Sequence, residues 1–553
     1  MTQYLRWQAL IALSGILLFS SVLVSLSQSL TTTFVPERGG TYIEGVIDQP
    51  GNLNPLFLES RTDEDIGALV FRGLTRATAD GRIQPDLATR WEISPDSLSY
   101  TFHLRDDVFW HDGEPFSAAD VIYTIGVLQD PTYAGNLALA EVWRTVRVEV
   151  LDPLTVRVTL PEPYAPFLSF TTFGILPSHL LGDYSASELP GLPFSRHPIG
   201  TGRWRLADEN ADSITLQAFP DFYGPPPLLD RLTLRFYPDA TALFEGYRRG
   251  EIMGLGRVRP QDVNRVVQEP TLTLWSAPLD GFTGIVLNLA HPLFADPAVR
   301  QALLYGLNRP ALIAQILSGQ GLVANSFIVP TNWAYNPGIK QYPFNPARGR
   351  QLLEQAGWVD QNGDGVREKD GLSFAFSLVT NEEDPQRVRL VEAIARQWAA
   401  VGVKVEVKTV SFASLTQDVL RPRNFDAVMI TLLDLPTDPD PYPLFHSSQT
   451  KGDGRNFAGF VNERADRLMV EGRHVIDEKV RRELYFDVQE LFAEQLPILP
   501  LYHPVYSYAF DTRVRNVQIG PLNRPSERFW TLPNWFIKTR RVIRAETSST
   551  PAP

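Results

Sequence analysis

Two stretches concentrate side chains able to do chemistry. One is "LLDLPTDPDPYPLFHSS", Leu432 to Ser448, where Asp434, Asp438 and Asp440 stand among prolines and aromatic residues. A carboxylate pair is the acid and base of a glycosidase, and aromatic rings suit stacking on a sugar. Asp and Pro in alternation are equally the chemistry of turns and helix starts, and the turn reading is preferred. The other stretch is "WVDQNGDGVREKDG", Trp358 to Gly371. Asp360, Asn362 and Asp364 would fill positions one, three and five of a helix-loop-helix calcium loop, with Gly365 at six. Position twelve, where a bidentate Glu closes such a site, is Gly371.

The elements around the second stretch argue for a turn. "NPARGRQLLEQAGW" reads as a helix ending near Gly357, but "LSFAFSLVT" leaves the loop alternating as a strand. Asp360, Asn362 and Asp364 remain weak metal candidates. His103 and His111 flank "LRDDVFW", a separation that is not a known ligand spacing, so loop histidines held by hydrogen bonds are expected. The chain lacks H-E-x-x-H, G-x-S-x-G and a P-loop, and "GTGRWR" and "GLGRVR" lack the third glycine of a dinucleotide loop. There is no cysteine, which excludes disulfides, thiolate metal sites, a cysteine nucleophile and a lipid-modified N-terminal cysteine.

Several elements are legible from their periods and ends. "SYTFHLRDDVFWHDG" begins as a half-buried strand with Tyr100, Phe102 and Leu104 on one face. "FSAADVIYTIGVLQD" predicts a helix capped by Ser117 with Asp120 at its third position, and Val121, Ile122, Ile125 and Leu128 as the buried stripe. "DPAVRQALLYGLNR" opens with Asp296 as N-cap and Pro297 at the first helical position; Val299, Leu303, Leu304 and Leu307 form its apolar face. "LSFAFSLVT" predicts a strand alternating Leu372, Phe374, Phe376 and Leu378. A helix over "DPQRVRLVEAIARQWAAVG", ended by Gly402, and a strand with Val403, Val405 and Val407 on one face follow. Strand, helix and strand with this crossover length make a βαβ unit with parallel pairing.

A chain of 553 residues is too long for one ordinary core, so two or three domains are expected. Lys and Arg total 51 against 63 Asp and Glu, with no run of either sign, which argues against a nucleic-acid partner. From Trp7 to Leu30 no residue is charged, and Arg6 stands where a cytoplasmic-side charge would. This is an export segment, and its apolar length favours a retained anchor in the cytoplasmic membrane over a cleaved signal peptide. Everything after about Val35 is expected outside that membrane, in the periplasm or at the cell surface. "AETSSTPAP" reads as a disordered tail.

Seven stretches in order resemble the extracytoplasmic solute-binding proteins of the ABC-transporter peptide, dipeptide, oligopeptide and nickel class, family 5. They are "GGTYIEGVIDQPGNLNPLF", "DGRIQPDLATRWEISPDSLSYTFHLRDDVFWHDGEPFSAADVIYTI", "PIGTGRWRL", "IVLNLAHPLFADPAVRQALLYGLNR", "FNPARGRQLLEQAGW", "AVGVKVEVKTVSF" and "YFDVQELFAEQLPILPLY". The resemblance implies an α/β, mixed-element fold of two lobes closing on ligand, with an extra domain inserted in lobe one. It divides the chain into an N-terminal signal or anchor (1–35), lobe one (36–57, 196–283 and 506–540), the inserted domain (58–195), lobe two (284–505) and a tail (541–553). It implies capture of a peptide or similar small solute for ABC permease subunits, without a cofactor and without catalysis. That need for a closing cleft rather than a nucleophile agrees with the motif search.

In peptide-binding relatives the ligand backbone pairs with a lobe-two strand, and an aspartate at that strand's end holds the ligand's amine. The resemblance nominates Thr431 and Leu433 for the backbone bonds. The family pattern, Trp-Gly-Ala-Asp before Tyr-Pro-Asp-Pro, is "LLDLPTDPDP" in this sequence. Aligned on Asp438 and Pro439, the anchoring aspartate becomes Leu435, and Asp434 stands one residue early, on the opposite face of a strand. Either a local shift brings Asp434 to the amine, or the anchor is absent. In lobe one the loop after "NLNPLF" nominates Glu59, Ser60 and Arg61. Asn288 and Gly200 to Gly202 match family motifs and are read as structural. The alternatives are a secreted hydrolase using Asp434 to Asp440 and a sensor that keeps the binding fold.

Overall fold

The structure, a computed structural model, describes residues 7–8, 13–24, 32–433 and 438–543. One long strand, Ile498–Asp511, runs through both halves of the molecule. Its first part pairs antiparallel with Gly281–Leu287 and Gly321–Val323. Its second part pairs with Leu272–Pro278 and Gly254–Leu255. A twelve-stranded sheet therefore passes from one lobe into the other. Leu279 and Asp280 join strand Leu272–Pro278 to strand Gly281–Leu287, both neighbours of the long strand.

In lobe two the sheet continues through Ala427–Leu433, Ala375–Asn381 and Lys404–Val410. Side chains alternate across it: Ile285, Leu287 and Met429 enter one apolar cluster, while Val286, Val428 and Ile430 enter another on the opposite face. Burial on both faces is why Gly281–Leu287 and Ala427–Leu433 read as almost continuous apolar runs, whereas Lys404–Val410, at the sheet edge, alternates. The expected βαβ unit is present, with Ala375–Asn381 parallel to Lys404–Val410 and helix Pro385–Ala399 between them. Asp384 caps that helix, and Gly402 turns the chain with φ +88°. Phe374, Phe376 and Leu378 point inward as expected, but Leu372 is exposed. It sits in a short hairpin strand, Leu372–Ser373, paired with Glu368–Lys369 at the rim, so the inward alternation starts two residues later.

Lobe one contributes Thr41–Val46, Arg231–Phe236, Ser213–Ala218 and Trp204–Asn210 to the sheet. The region between carries its own four-stranded antiparallel sheet, Ala88–Ile93, Ser99–Leu104, Thr155–Thr159 and Arg147–Asp152 in the spatial order 88, 99, 155, 147. Tyr100, Phe102 and Leu104 are buried there. Helix Ala118–Gln129 has its capping box of Ser117 and Asp120. Val121, Ile125 and Leu128 are buried, whereas Ile122 is exposed and leaves the expected stripe. The inward face is completed by Thr124, whose hydroxyl accepts from Leu176 N–H at 2.9 Å. Helix Pro297–Tyr305 begins at Asp296 and Pro297, with Val299, Leu303, Leu304 and Leu307 buried as the pattern predicts.

Lobe one is tied together by a buried charge network. Arg528 donates to Glu44 (2.6 Å) and Asp65 (2.5 Å), and Tyr508 donates to Glu44 at 2.7 Å. This joins strand Thr41–Val46, helix Arg61–Val70, the long shared strand and the C-terminal region. At the chain ends, Thr32–Glu37 pairs antiparallel with Lys538–Ile543. Among the described residues, no helix is long and apolar enough to cross a membrane.

Candidate ligand-binding cleft

The first lobe's contribution is built around helix Arg61–Val70. Ser60 caps it, accepting from Asp63 N–H at 3.1 Å. The buried Asp63 carboxylate in turn accepts from the N–H groups of Gly51 (2.8 Å), Glu59 (3.1 Å) and Ser60 (2.9 Å). Three donors on one carboxylate hold the loop in a single shape. Thr62 adds a hydrogen bond to Asp48 C=O at 2.9 Å. Of the nominated residues, Glu59 is exposed, Ser60 is engaged as the cap, and Arg61 pairs with Glu64 at 3.1 Å. Asp63 went unnoticed in the sequence, although S-x-x-D before an apolar run is a readable capping signal.

The second lobe's contribution is the end of strand Ala427–Leu433. Thr431 exchanges a hydrogen bond with Thr283 across the sheet (2.9 Å) and accepts from Arg387 Nη2 at 2.6 Å. Arg387, at the start of helix Pro385–Ala399, also donates to Asn381 at 2.9 Å. Leu432 packs on a lobe-two cluster, whereas Leu433 packs against the core of lobe one. Asp434 and Leu435 lie outside the described residues.

Beyond them, the acidic segment is a set of staples. Asp438 accepts from both Nη atoms of Arg481, at 2.8 and 2.6 Å, and from Tyr485 at 3.3 Å. Asp440 accepts from Arg473 Nε at 2.8 Å and from Tyr442 N–H at 3.0 Å. The arginines stand on helices Glu463–His474 and Glu478–Gln495, so each aspartate pins the segment to a different helix. Two carboxylates each committed to its own arginine do not form the paired acid and base that the glycosidase reading requires.

A cavity of about 1180 Å³ lies between residues 55–174 and residues 440–473, with Arg524 and Ser526 completing the wall. Leu58 and Glu64, which bracket Glu59 to Arg61, line it; those three do not, and neither do Thr431 or Leu433. Phe173 and Tyr164 form part of the wall on one side, with Tyr442 and Arg473 opposite. The Arg473 guanidinium lies over both Tyr442 (4.1 Å) and Tyr164 (5.1 Å), a cation-π bridge across the cleft. Burial and the nearby Asp440 carboxylate push the Tyr164 phenol above its ordinary range, so it stays neutral. A second bridge lies farther out: Arg82 donates to Glu478 at 3.1 and 2.8 Å, and Trp333 N–H to Asp80 C=O at 3.1 Å.

The remaining candidates have structural partners. His111 is buried, with Nδ1 accepting from Gly200 N–H (3.2 Å) and Nε2 donating to Gly202 C=O (2.9 Å). Burial holds it neutral, down to about 4. A Cβ on Gly200 or Gly202 would meet carbonyls of Leu69 and Val70 at 2.0 to 2.5 Å, which explains both glycines. Asn288 donates to Phe425 C=O at 3.1 Å. His103 lies 3.2 Å from Glu92. Around the Asp-Gly turn, Asp360, Asp364 and Glu368 bring carboxylate oxygens within 4.8 Å of one another. Inspection of position twelve alone misses Glu368, at position nine. The turn's own N–H groups occupy these acids: Gly363 and Gly365 donate to Asp360, Val366 to Asp364 and Gln361 to Glu368.

Two lobes joined by a shared strand, with a large cavity between them, define a binding protein of the hinged, two-lobed class. Residues 82–454 match the model of the bacterial extracellular solute-binding proteins, family 5 Middle, and the chain belongs to that family. Its work is extracytoplasmic solute binding for ABC transport. It is 28% identical to the oligopeptide-binding protein AppA of Bacillus subtilis, over 91% of this chain and 92% of that protein. It is 30% identical to heme-binding protein A of Haemophilus influenzae, over 79% of this chain and 82% of the relative. Among solved structures it superposes on NikZ of Campylobacter jejuni in complex with Ni(L-His), with TM-score 0.72 and 26% identity, covering 90% of this chain and 99% of that one.

Proposed function

We propose that this protein captures a peptide in the cleft between its lobes and delivers it to the permease subunits of an ABC importer, by binding alone and without turnover. The observation that carries the reading is the cavity of about 1180 Å³ between residues 55–174 and residues 440–473. Pockets for small ligands span about 300 to 1,000 Å³, so this one has room for a chain of several residues. The likeness to an oligopeptide-binding protein over nine-tenths of both chains supports the same class of solute.

In this reading the ligand extends past the cavity wall, so that Thr431 and Leu433 lend it their strand's backbone, Glu59, Ser60 and Arg61 approach it from the loop at the start of helix Arg61–Val70, and Asp434 or Leu435 is assigned to its amine end. Lobe one comprises 36–57, 196–283 and 506–540, the inserted domain 58–195 and lobe two 284–505. Residues 7–30 hold the protein at the cytoplasmic membrane as an uncleaved anchor. Mass spectrometry of small molecules that co-purify from the native host, followed by calorimetric titration of the hits, tests the substrate. Peptides bound one to one, with no product formed, are expected. Recovery of heme or a metal chelate instead overturns the peptide reading.

A further inference from the structure

The two-stranded ribbon of Thr32–Glu37 and Lys538–Ile543 stands apart from the twelve-stranded sheet and contributes nothing to the cavity wall. Its register puts Glu37 opposite Lys538 at one end and Thr32 opposite Ile543 at the other. The first end is fixed to lobe one, where Gly39 N–H donates to Leu228 C=O at 2.8 Å and Trp535 is buried. The second end faces the uncharged N-terminal segment: Thr32 follows its last residue, Leu30, by two positions, and two residues span at most about 7 Å. The stretch "KTRRVIR", Lys538 to Arg544, has four cations and no acid in a chain of net charge -12. Glu37, the acid of the ribbon, sits at the lobe-one end. Lys538, Arg540 and Arg541 are exposed, and the Arg541 guanidinium lies 5.6 Å from the centre of the Phe34 ring, itself 66% exposed. Directly opposed residues share a face, so Arg540 stands beside Val35 and Arg541 beside Phe34. Cations set against exposed apolar side chains are the composition of a surface that lies between water and lipid.

Resting on the reading of residues 7–30 as a retained anchor, we propose that this ribbon docks on the headgroups of anionic lipids beside the anchor, through Arg540, Arg541 and Phe34. A single exposed cation is held weakly by a charged surface, but several on one short element add their attractions within a Debye length of about 10 Å. The anchor has already brought the ribbon to the surface, so docking is an intramolecular step and proceeds at high effective concentration. Folding delivers these cations from the far end of the chain. The asymmetry that orients the apolar segment, Arg6 before it and no charge after it until Glu37, is therefore untouched. From Lys538 to Ile543 the ribbon extends about 17 Å, so docking sets the height and tilt of lobe one above the bilayer, where the anchor by itself is only a tether.

The chain has no cysteine, so Thr539→Cys gives the full-length protein a single site for a fluorescent label on the ribbon. The labelled protein is reconstituted into vesicles of phosphatidylcholine alone or with phosphatidylglycerol, each carrying lipids with a nitroxide on the headgroup, and quenching is measured. Quenching is expected to be about threefold stronger in the anionic vesicles at low salt and to fall to the neutral level at high salt. Adding Lys538→Gln, Arg540→Gln and Arg541→Gln removes the difference, whereas Arg540→Lys with Arg541→Lys keeps it; these side chains are exposed, and an unchanged urea midpoint confirms that the variants fold. Extraction with alkaline carbonate tests the anchor separately. A chain that resists extraction but is quenched equally in both vesicles overturns the ribbon alone, as does a difference that survives the Gln substitutions. A chain released by carbonate overturns the anchor and the docking with it. Protection of the label from aqueous iodide in membranes of the native host, but in neither vesicle, assigns the ribbon to a protein partner and overturns the lipid proposal.

Discussion

At the scale of single residues, the segment from Asp438 to Asp440 changes meaning once its partners are known. Its carboxylates are as legible as any in the sequence, but Arg473 and Arg481 lie 33 and 43 residues further on, and only folding brings them together. Breaking a buried pair leaves an uncompensated charge, which costs about 3 to 5 kcal/mol. Asp438→Ala is therefore expected to lower unfolding free energy by that amount in urea titrations, and the double variant Asp438→Asn, Arg481→Gln to lose less. A loss below about 1 kcal/mol for Asp438→Ala would show the pair to be dispensable. Asp63 is a quieter case. Asp63→Ala removes the acceptor of three N–H groups and is expected to weaken solute binding several-fold with the cavity wall otherwise intact, as calorimetry would read; Asp63→Asn retains part of the function because one carbonyl oxygen remains.

At the scale of elements, the hairpin joining Thr75–Ala77 to Ile83–Pro85 acts across the cleft although it lies outside the cavity wall. Its tip places Arg82 against Glu478 and the Asp80 carbonyl against Trp333 N–H. Exposed ion pairs contribute about 0.2 to 1 kcal/mol, so Arg82→Ala is expected to speed solute release by up to about fivefold. Stopped-flow dissociation at low and high salt measures this. Wild type should approach the variant as salt screens the pair, and a salt-independent difference would assign the effect to something other than charge. The elements themselves were the most legible layer. Ser117, Asp296 and Asp384 announced their helices because capping is local chemistry. Ile122 and Leu372 were misplaced because which neighbour covers a face is not local.

At the scale of the whole molecule, the junction between two strands of the shared sheet contains a titratable group. Asp280 stands between Leu272–Pro278 and Gly281–Leu287, and burial pushes its carboxyl from 3.8 up to about 7, opposed only in part by Gly281 N–H. The native protein therefore keeps a proton that the unfolded chain releases near pH 4. Between about pH 4 and 7 the native state binds more protons, so this group's contribution is complete at the acid end and is lost as pH rises through about 7. Asp280→Asn is expected to gain stability relative to wild type over that window, by a few kcal/mol at most. Urea midpoints at intervals from pH 4 to 8 measure it. Parallel profiles for the two proteins would show that Asp280 does not govern this pH dependence.

The sequence by itself determined the elements, the seven ordered stretches that mark the family, and the absence of the H-E-x-x-H, G-x-S-x-G and P-loop motifs. Each of these is written in residue spacing or in side-chain type. What only the tertiary structure decided is which charges meet. It bound Asp438 and Asp440 to Arg481 and Arg473 on two later helices, and ran one strand through both lobes. Pairing depends on distances across the fold, and those are set by how the sheet and its helices pack, not by separation along the chain.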